Sequence, residues 1–282
     1  MSSAAAIIGS TGLVGSHILT TLLEGNAYKP IQTITRRAPK STSAKLEAVV
    51  DADTSRWAAL LAALSPSPTT AFSALGTTRA AAGSIENQWK IDHDLNIELA
   101  TAAKKAGVKT FVFISSGGTR GLLSGFAPYA KMKNGVEDAV KGLGFDHAVI
   151  LKPGVILGDR EQKRTGEGIA QTIARGLGKA GQGIQDMVGQ DAEVIARAAV
   201  RAVELVDQGK APSAYWVIEA KEIVKLGRAE WSSKPAAADP ATTAAAPEPA
   251  AAPTTAAPTT VAPTTAAPTT AAPAPEAPTS AQ

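Results

Sequence analysis

Cysteine is absent from the whole chain of 282 residues. That excludes a disulfide framework and any thiolate metal site, and it fits a reducing compartment. No uninterrupted apolar run reaches the roughly 18 residues of a membrane-crossing helix. An excess of one charge is also missing: 28 Lys and Arg against 25 Asp and Glu leave +3, with both signs mixed along the chain. Without a basic run, nucleic acid is not an expected partner. Aromatic residues are scarce at 4 %. Trp57, Trp89, Trp216 and Trp231 are read as packing residues. His17, His93 and His147 are scattered without ligand spacing, so they are read as structural and no metal site is expected.

The last fifth of the chain is of a different kind. From Lys234 onward it is built of Ala, Pro and Thr, holds most of the 18 prolines, and has no aromatic residue. Such a segment has too little apolar surface to offset the entropy of ordering it. Its AAPTT repeat has no face to bury and is too short for a solenoid unit. Residues 231–282 are therefore expected to be a disordered tail of polyproline character, whose protein partner, if any, is unknown. Mucin-like O-glycosylation is the rival reading and requires secretion. Residues 1–230 remain as one folded domain.

Within that domain, strand-like and helix-like stretches alternate. Apolar or alternating runs predict strands at 4–8, 31–35, 46–50, 70–75, 109–115 and 147–151. Helical spacing predicts helices at 12–24, 54–64 (capped by Asp53 or Thr54), 86–106 and 129–140. Several strands are nearly all apolar, which is the mark of a parallel sheet covered on both faces. The expected fold class is thus α/β, a doubly wound parallel sheet of Rossmann type. Beyond Pro153, helices at 167–177, 192–206 and 219–226 and a strand at 215–218 suggest a smaller region on the substrate side. The acid-poor amino terminus has the look of a transit peptide, but its removal would take away the first strand, so it is read as mature structure.

The first strand runs into a glycine turn, AIIGSTGLVGS at residues 6–16. A strand, glycines and then a helix aim unpaired amino-terminal N–H groups at an anion. Gly9 permits the turn, Gly12 lets phosphate approach the backbone, and Gly15 lets the helix pack on the strand. The GxxGxxG spacing alone also suits a plain turn without ligand. Dinucleotide sites that prefer NAD place an acid about 20 residues further on. Arg36 and Arg37 stand there instead, and two guanidinium groups suit the 2′-phosphate of NADP(H), unless they are simply solvated. Asp51 is placed to accept from an adenine amino group or else to cap a helix. Residues 75–79, LGTTR, end the fourth strand where backbone would lie along the adenine ribose.

Downstream, Tyr129 and Lys133 are four apart and share one helix face. A nearby ammonium favours a tyrosine's ionised form, which fits a phenol for proton transfer. Either Ser115 or Ser116, at the end of the fifth strand, has the hydroxyl to hold a substrate carbonyl oxygen.

These parts, in this order, resemble the atypical short-chain dehydrogenase/reductases. Within them the likeness is to a fungal group of mitochondrial outer-membrane proteins, "found in mitochondrial proteome", and to the animal Tat-interacting-protein oxidoreductases. The likeness is carried by IIGSTGLVGSHIL (7–19), TRR (35–37), VVD (49–51), LGTTR (75–79), KTFVFISS (109–116), YAKMK (129–133) and KPGVILGDREQKRTGE (152–167). It covers residues 4–228 and stops at the tail. The resemblance implies a Rossmann-type NADP(H) fold with Tyr129 as proton donor or acceptor and Lys133 beside it. It also implies cofactor contacts from Ser10, Thr11, Gly12, Leu13 and Val14, from Arg36, Arg37, Leu75 and Gly76, and from the loop around Val155 and Arg160. By the same resemblance the protein is peripheral on the mitochondrial outer membrane and faces the cytosol; the cytoplasm is the alternative. Two functions follow: an NADP(H)-dependent oxidoreductase acting on a small carbonyl or alcohol, or a non-catalytic NADP(H)-binding regulatory or scaffold protein.

Overall fold

The computed structural model describes residues 3–121, 127–158 and 189–232. All of them belong to the first of two units, Met1–Ala237; the second, Ala238–Gln282, lies outside the described residues. The expected helix at 167–177 lies outside them, as does the expected tail at 231–282 except for Trp231 and Ser232, which are not tail: they close a short helix, Glu230–Ser232, and Trp231 packs against the core.

Seven parallel strands form the main sheet in the order β3-β2-β1-β4-β5-β6-β9. They are β1 (Ser3–Ile8), β2 (Tyr28–Thr35), β3 (Leu46–Val50), β4 (Thr70–Ser73), β5 (Thr110–Ile114), β6 (His147–Lys152) and β9 (Tyr215–Glu219). A parallel pair β7 (Val155–Leu157) and β8 (Gly189–Asp191) stands apart, following directly from the end of β6. The helices are α1 (Leu13–Glu24), α2 (Trp57–Ala62), α3 (Arg79–Ala82), α4 (Ile85–Trp89), α5 (Leu95–Lys105), α6 (Pro128–Leu143), α7 (Ala192–Asp207), α8 (Ala220–Val224) and α9 (Glu230–Ser232).

Side-chain alternation along each strand sends residues to two separate cores. Ala5, Ile7, Phe72, Val112, Ile114, Val149 and Leu151 face α1 and α7. Ala6, Ile8, Ala71, Phe111, Phe113, Ala148 and Ile150 face α2, α5 and α6. Both faces of the central strands are thus dry, which is why TFVFI in β5 reads as an unbroken apolar run.

Three differences from the predicted elements have local causes. The helix predicted at 54–64 opens as a 3₁₀ turn, Thr54–Arg56, because the Asp53 carboxylate accepts from Ser55 N–H before α2 begins. The helix predicted at 86–106 is interrupted by a π-turn, Lys90–Asp94, in which Leu95 N–H reaches back to the Lys90 carbonyl. The Asn96 side chain inserts there: its amide donates to the Ile91 carbonyl at 2.9 Å, and its oxygen accepts from Ser73 at 2.7 Å. Finally, the region after Pro153 divides. β7 and β8 stay at the carboxyl end of β6, while β9 joins the main sheet and α7 packs beside α1 as part of its helical layer.

The strand order reverses between β1 and β4. In open α/β sheets the crevice beyond the carboxyl ends at such a point receives the ligand.

Candidate active site

The glycine turn occupies that crevice. Gly9 has φ +84°, a conformation open to glycine, and a Cβ there would lie 2.8 Å from the Ala74 carbonyl carbon and oxygen. The loops after β1 and β4 can approach this closely only because Gly9 has no side chain. Gly12 N–H donates to the Gly9 carbonyl at 2.9 Å, closing the turn. A Cβ on Gly15 would collide with the Gly9 carbonyl oxygen, so α1 and β1 also meet through a missing side chain. No side chain caps α1 and no acid sits in its first turn, which leaves the amides around Leu13 and Val14 for an outside acceptor. Thr11 and Gly12 are exposed. Ser10 is buried, and its hydroxyl has no hydrogen-bond partner among the described residues.

Arg36 and Arg37 leave the end of β2 as exposed residues, and neither guanidinium is ion-paired among the described residues. The Thr35 hydroxyl donates to the Arg37 carbonyl and fixes the chain's exit. Asp51 is already engaged: its carboxylate accepts from Asp53 N–H at 2.9 Å and pairs with Arg56 at 3.0 Å. Its negative charge is thus taken up locally. Leu75 and Gly76 follow β4 beside the glycine turn, with Leu75 N only 2.9 Å from where a Gly9 Cβ would stand.

Tyr129, Lys133 and Glu137 are spaced along one face of α6, but the structure gives them different surroundings. Tyr129 lies in the first turn and is 42 % exposed. Lys133 is buried, with its ammonium 3.4 Å from the Ile114 carbonyl, 3.7 Å from Asp92 Oδ1 and 4.9 Å from the centre of the Phe113 ring. Glu137 is buried as well. It accepts from the Ser115 hydroxyl, from Arg120 Nε at 3.1 Å and from Lys152 Nζ at 3.3 Å. Hydrogen bonding to Asp138, and then to Glu137, raises Arg120 further above its ordinary range. Burial, then the charge of Glu137, pushes the Tyr215 phenol up to about 12.

Ser115 and Ser116 therefore part ways. Ser115 is buried and committed to Glu137, whereas Ser116 is half-buried and its hydroxyl makes no hydrogen bond among the described residues. Val155 opens β7, preceded by Gly154, whose N–H donates to Gln190 Oε1 at 2.7 Å. Arg160 lies outside the described residues.

Sequence reasoning passed over Asp92, Asn96, Glu137 and Lys152. Glu137 stands four residues past Lys133, so the face was there to be followed. Gln88, Asp92 and Asn96 form a buried polar stripe at four-residue spacing on an otherwise apolar helix face. A polar stripe of that kind is a signal for a site.

The model of a family described as "NAD dependent epimerase/dehydratase family" matches residues 5–217. Among curated proteins, "Protein fmp52-2, mitochondrial" of Aspergillus terreus is 56 % identical over 229 residues, 81 % of this chain and 99 % of its own length. "Protein fmp-52, mitochondrial" of Neurospora crassa is 58 % identical over 231 residues, 80 % of this chain and 96 % of its own. Among solved structures, a UDP-Glc/GlcNAc 4-epimerase from Campylobacter jejuni superposes with TM-score 0.58 at 14 % identity, covering 79 % of this chain and 82 % of that one. MoeE5 in complex with UDP-glucose and NAD gives TM-score 0.57 at 15 % identity, covering 81 % and 82 %. At such identities the structures share the fold.

Proposed function

The chain belongs to the NAD dependent epimerase/dehydratase family, and from that premise we propose that it is an NADP(H)-dependent oxidoreductase of the atypical short-chain dehydrogenase/reductase type. Its substrate is a small carbonyl or alcohol. The observation that supports the choice of NADP(H) is the exposed Arg36 and Arg37 beyond β2, without an ion pair among the described residues, while Asp51 is engaged by Arg56. A 2′-phosphate supplies the bidentate acceptor that two such guanidinium groups lack. The residues present fit a dinucleotide: the turn through Gly9 and Gly15 is so close that a Cβ on either would strike backbone, and the Ser10 hydroxyl is buried without a partner among the described residues.

NADP(H), when bound, supplies or takes up the hydride. The chain's own residues do the rest. Ser10 to Val14 line the diphosphate at the start of α1, where the amides around Leu13 and Val14, rather than that of Gly12, would hold it. Leu75 and Gly76 lie along the adenosine side, and Val155 borders the nicotinamide side. Lys133 bonds the nicotinamide ribose. Tyr129 Oη gives the proton to the substrate oxygen or takes it away, and Ser116 donates to that oxygen and fixes its place.

Binding is read by titrating the full chain with NADPH and NADH, followed by a carbonyl panel watched at the nicotinamide absorbance. Tight NADPH binding with weak NADH binding is expected. Tyr129→Phe should keep the affinity and lose turnover. A second reading, a non-catalytic NADP(H)-binding regulatory or scaffold protein, draws on the 42 % exposure of Tyr129. That reading wins if NADPH binds, no carbonyl is reduced, and Tyr129→Phe leaves the cellular role intact.

The names of the fungal relatives place those proteins in mitochondria. We extend this to a peripheral position on the outer membrane, facing the cytosol. No described helix is long and apolar enough to cross a membrane. Protease treatment of intact mitochondria tests it: the protein should be degraded without lysis, and protection would move it inside.

A further inference from the structure

The π-turn Lys90–Asp94 carries Asp92 to a point where two parts of the cofactor site meet. Resting on the NADP(H) reading above, we propose that Asp92 is a positioning residue. One carboxylate oxygen holds the Lys133 ammonium in place for the nicotinamide-side ribose, and the other pins the loop at 75–78 that flanks the adenosine half.

Asp92 is 1 % exposed and Lys133 4 %. Asp92 Oδ2 accepts from Thr77 N–H at 2.9 Å, and Oδ1 stands 3.7 Å from Lys133 Nζ. Between them lies Gly76, where a Cβ would sit 3.0 Å from Asp92 Oδ1 and 3.8 Å from Lys133 Nζ. Backbone, carboxylate and ammonium thus meet so closely that a side chain at residue 76 would have to push the Asp92 carboxylate aside. The carboxylate's own position is fixed from below, since the π-turn is wedged by Asn96, which is in turn held by Ser73 on β4. A π-turn inside a helix commonly marks a functional place.

Burying an ion pair is a weak source of stability, because desolvation offsets most of the attraction. Its value here is direction. With the Ile114 carbonyl and the Phe113 ring also close, Asp92 leaves the Lys133 ammonium few orientations.

Two ligands separate this from a scaffold role. NADPH spans the site, whereas 2′,5′-ADP has the adenosine half and the 2′-phosphate but no nicotinamide ribose. Asp92→Asn keeps an oxygen for Thr77 N–H and removes the charge facing Lys133. Calorimetry on the full chain should show NADPH affinity falling about tenfold, the scale of one hydrogen bond to a charged group, with 2′,5′-ADP affinity retained. The fluorescence of bound NADPH should shift. Lys133→Met should give the same pattern, and the double variant should bind NADPH no more weakly than Lys133→Met alone.

Undiminished NADPH binding by Asp92→Asn overturns the proposal. So do parallel losses for both ligands, or additive losses in the double variant. Should Asp92→Asn not fold, Lys133→Met decides: an equal loss for both ligands overturns it. An unsubstituted chain that binds NADPH leaves the cofactor reading standing whatever the variants do. A chain that binds neither ligand removes that reading, and this proposal with it.

Discussion

Ser115 gives its hydroxyl to Glu137, one buried residue to another, twenty-two positions apart. The bond joins the end of β5 to α6. Lys152 at the end of β6 and Arg120 in the loop after β5 converge on the same carboxylate. Glu137 therefore gathers the carboxyl edge of the sheet around one negative charge. Of the two adjacent serines it engages Ser115 and leaves the Ser116 hydroxyl without a hydrogen bond among the described residues.

Removing that charge is expected to be costly. Glu137→Ala strands the buried Lys152 ammonium and should destabilise the protein by about 3 kcal/mol, read by denaturant unfolding. Glu137→Gln keeps an acceptor for Ser115 and should cost less. Ser116→Ala should lower turnover with near-normal stability, while Ser115→Ala should lower stability first. The opposite assignment of the two serines would contradict the site as described.

Arg36→Ala and Arg37→Ala should each weaken NADPH about tenfold while leaving NADH almost unchanged, because each removes bonds to a phosphate that NADH lacks. Titration with both cofactors measures the ratio. A salt dependence seen for NADPH alone should accompany it, since both side chains are exposed.

Two glycines should respond in opposite directions. Gly15→Ala drives a Cβ into the Gly9 carbonyl oxygen, a backbone clash that no rotamer relieves. A loss of about 2–3 kcal/mol and failure to bind NADPH are expected. Gly142 lies near the end of α6 with nothing within 4 Å of a built Cβ. Gly142→Ala should raise stability by about 0.5 kcal/mol, visible as a higher Tm.

Alkaline pH should unfold the protein through its buried phenols. Burial raises Tyr215 to about 12 and Tyr28 further still, from the ordinary value of 10.0. The folded chain then holds protons that the unfolded chain releases above pH 10. Stability is fully present below that value and falls as pH rises through the Tyr215 window, from about 10 to about 12. Absorbance at the tyrosinate band, followed beside circular dichroism, checks the order: the Tyr28 signal should come only with unfolding.

Most of the sheet was legible because its chemistry is local. KTFVFIS and HAVIL are apolar on both faces, and a strand dry on both sides has no other way to look. Gly9, Gly12 and Gly15 were legible from their threefold spacing, and at Gly9 and Gly15 the structure supplies the reason in backbone contacts that forbid a Cβ. Less was visible where meaning depends on partners far along the chain. Glu137 on an amphipathic helix reads as a solvated charge until Ser115, Arg120 and Lys152 arrive from three other segments. β7 and β8 have three residues each, too few for alternation to register. Asp92 escaped because a polar stripe at four-residue spacing reads as a solvated helix face until the fold buries Gln88, Asp92 and Asn96 together.

The wide turn at Lys90–Asp94 also decides how the helix responds to a change in its length. A π-turn holds one residue more than regular winding requires. Deleting one residue between Lys90 and Asp94 would let the coil close normally and leave Ile85–Trp89 on nearly the same face, because the wide turn has already absorbed the surplus residue. What it would take away is the widened winding that carries Asp92 to Thr77 N–H and Lys133. A one-residue deletion there is thus expected to yield a chain that still matures but has lost that junction.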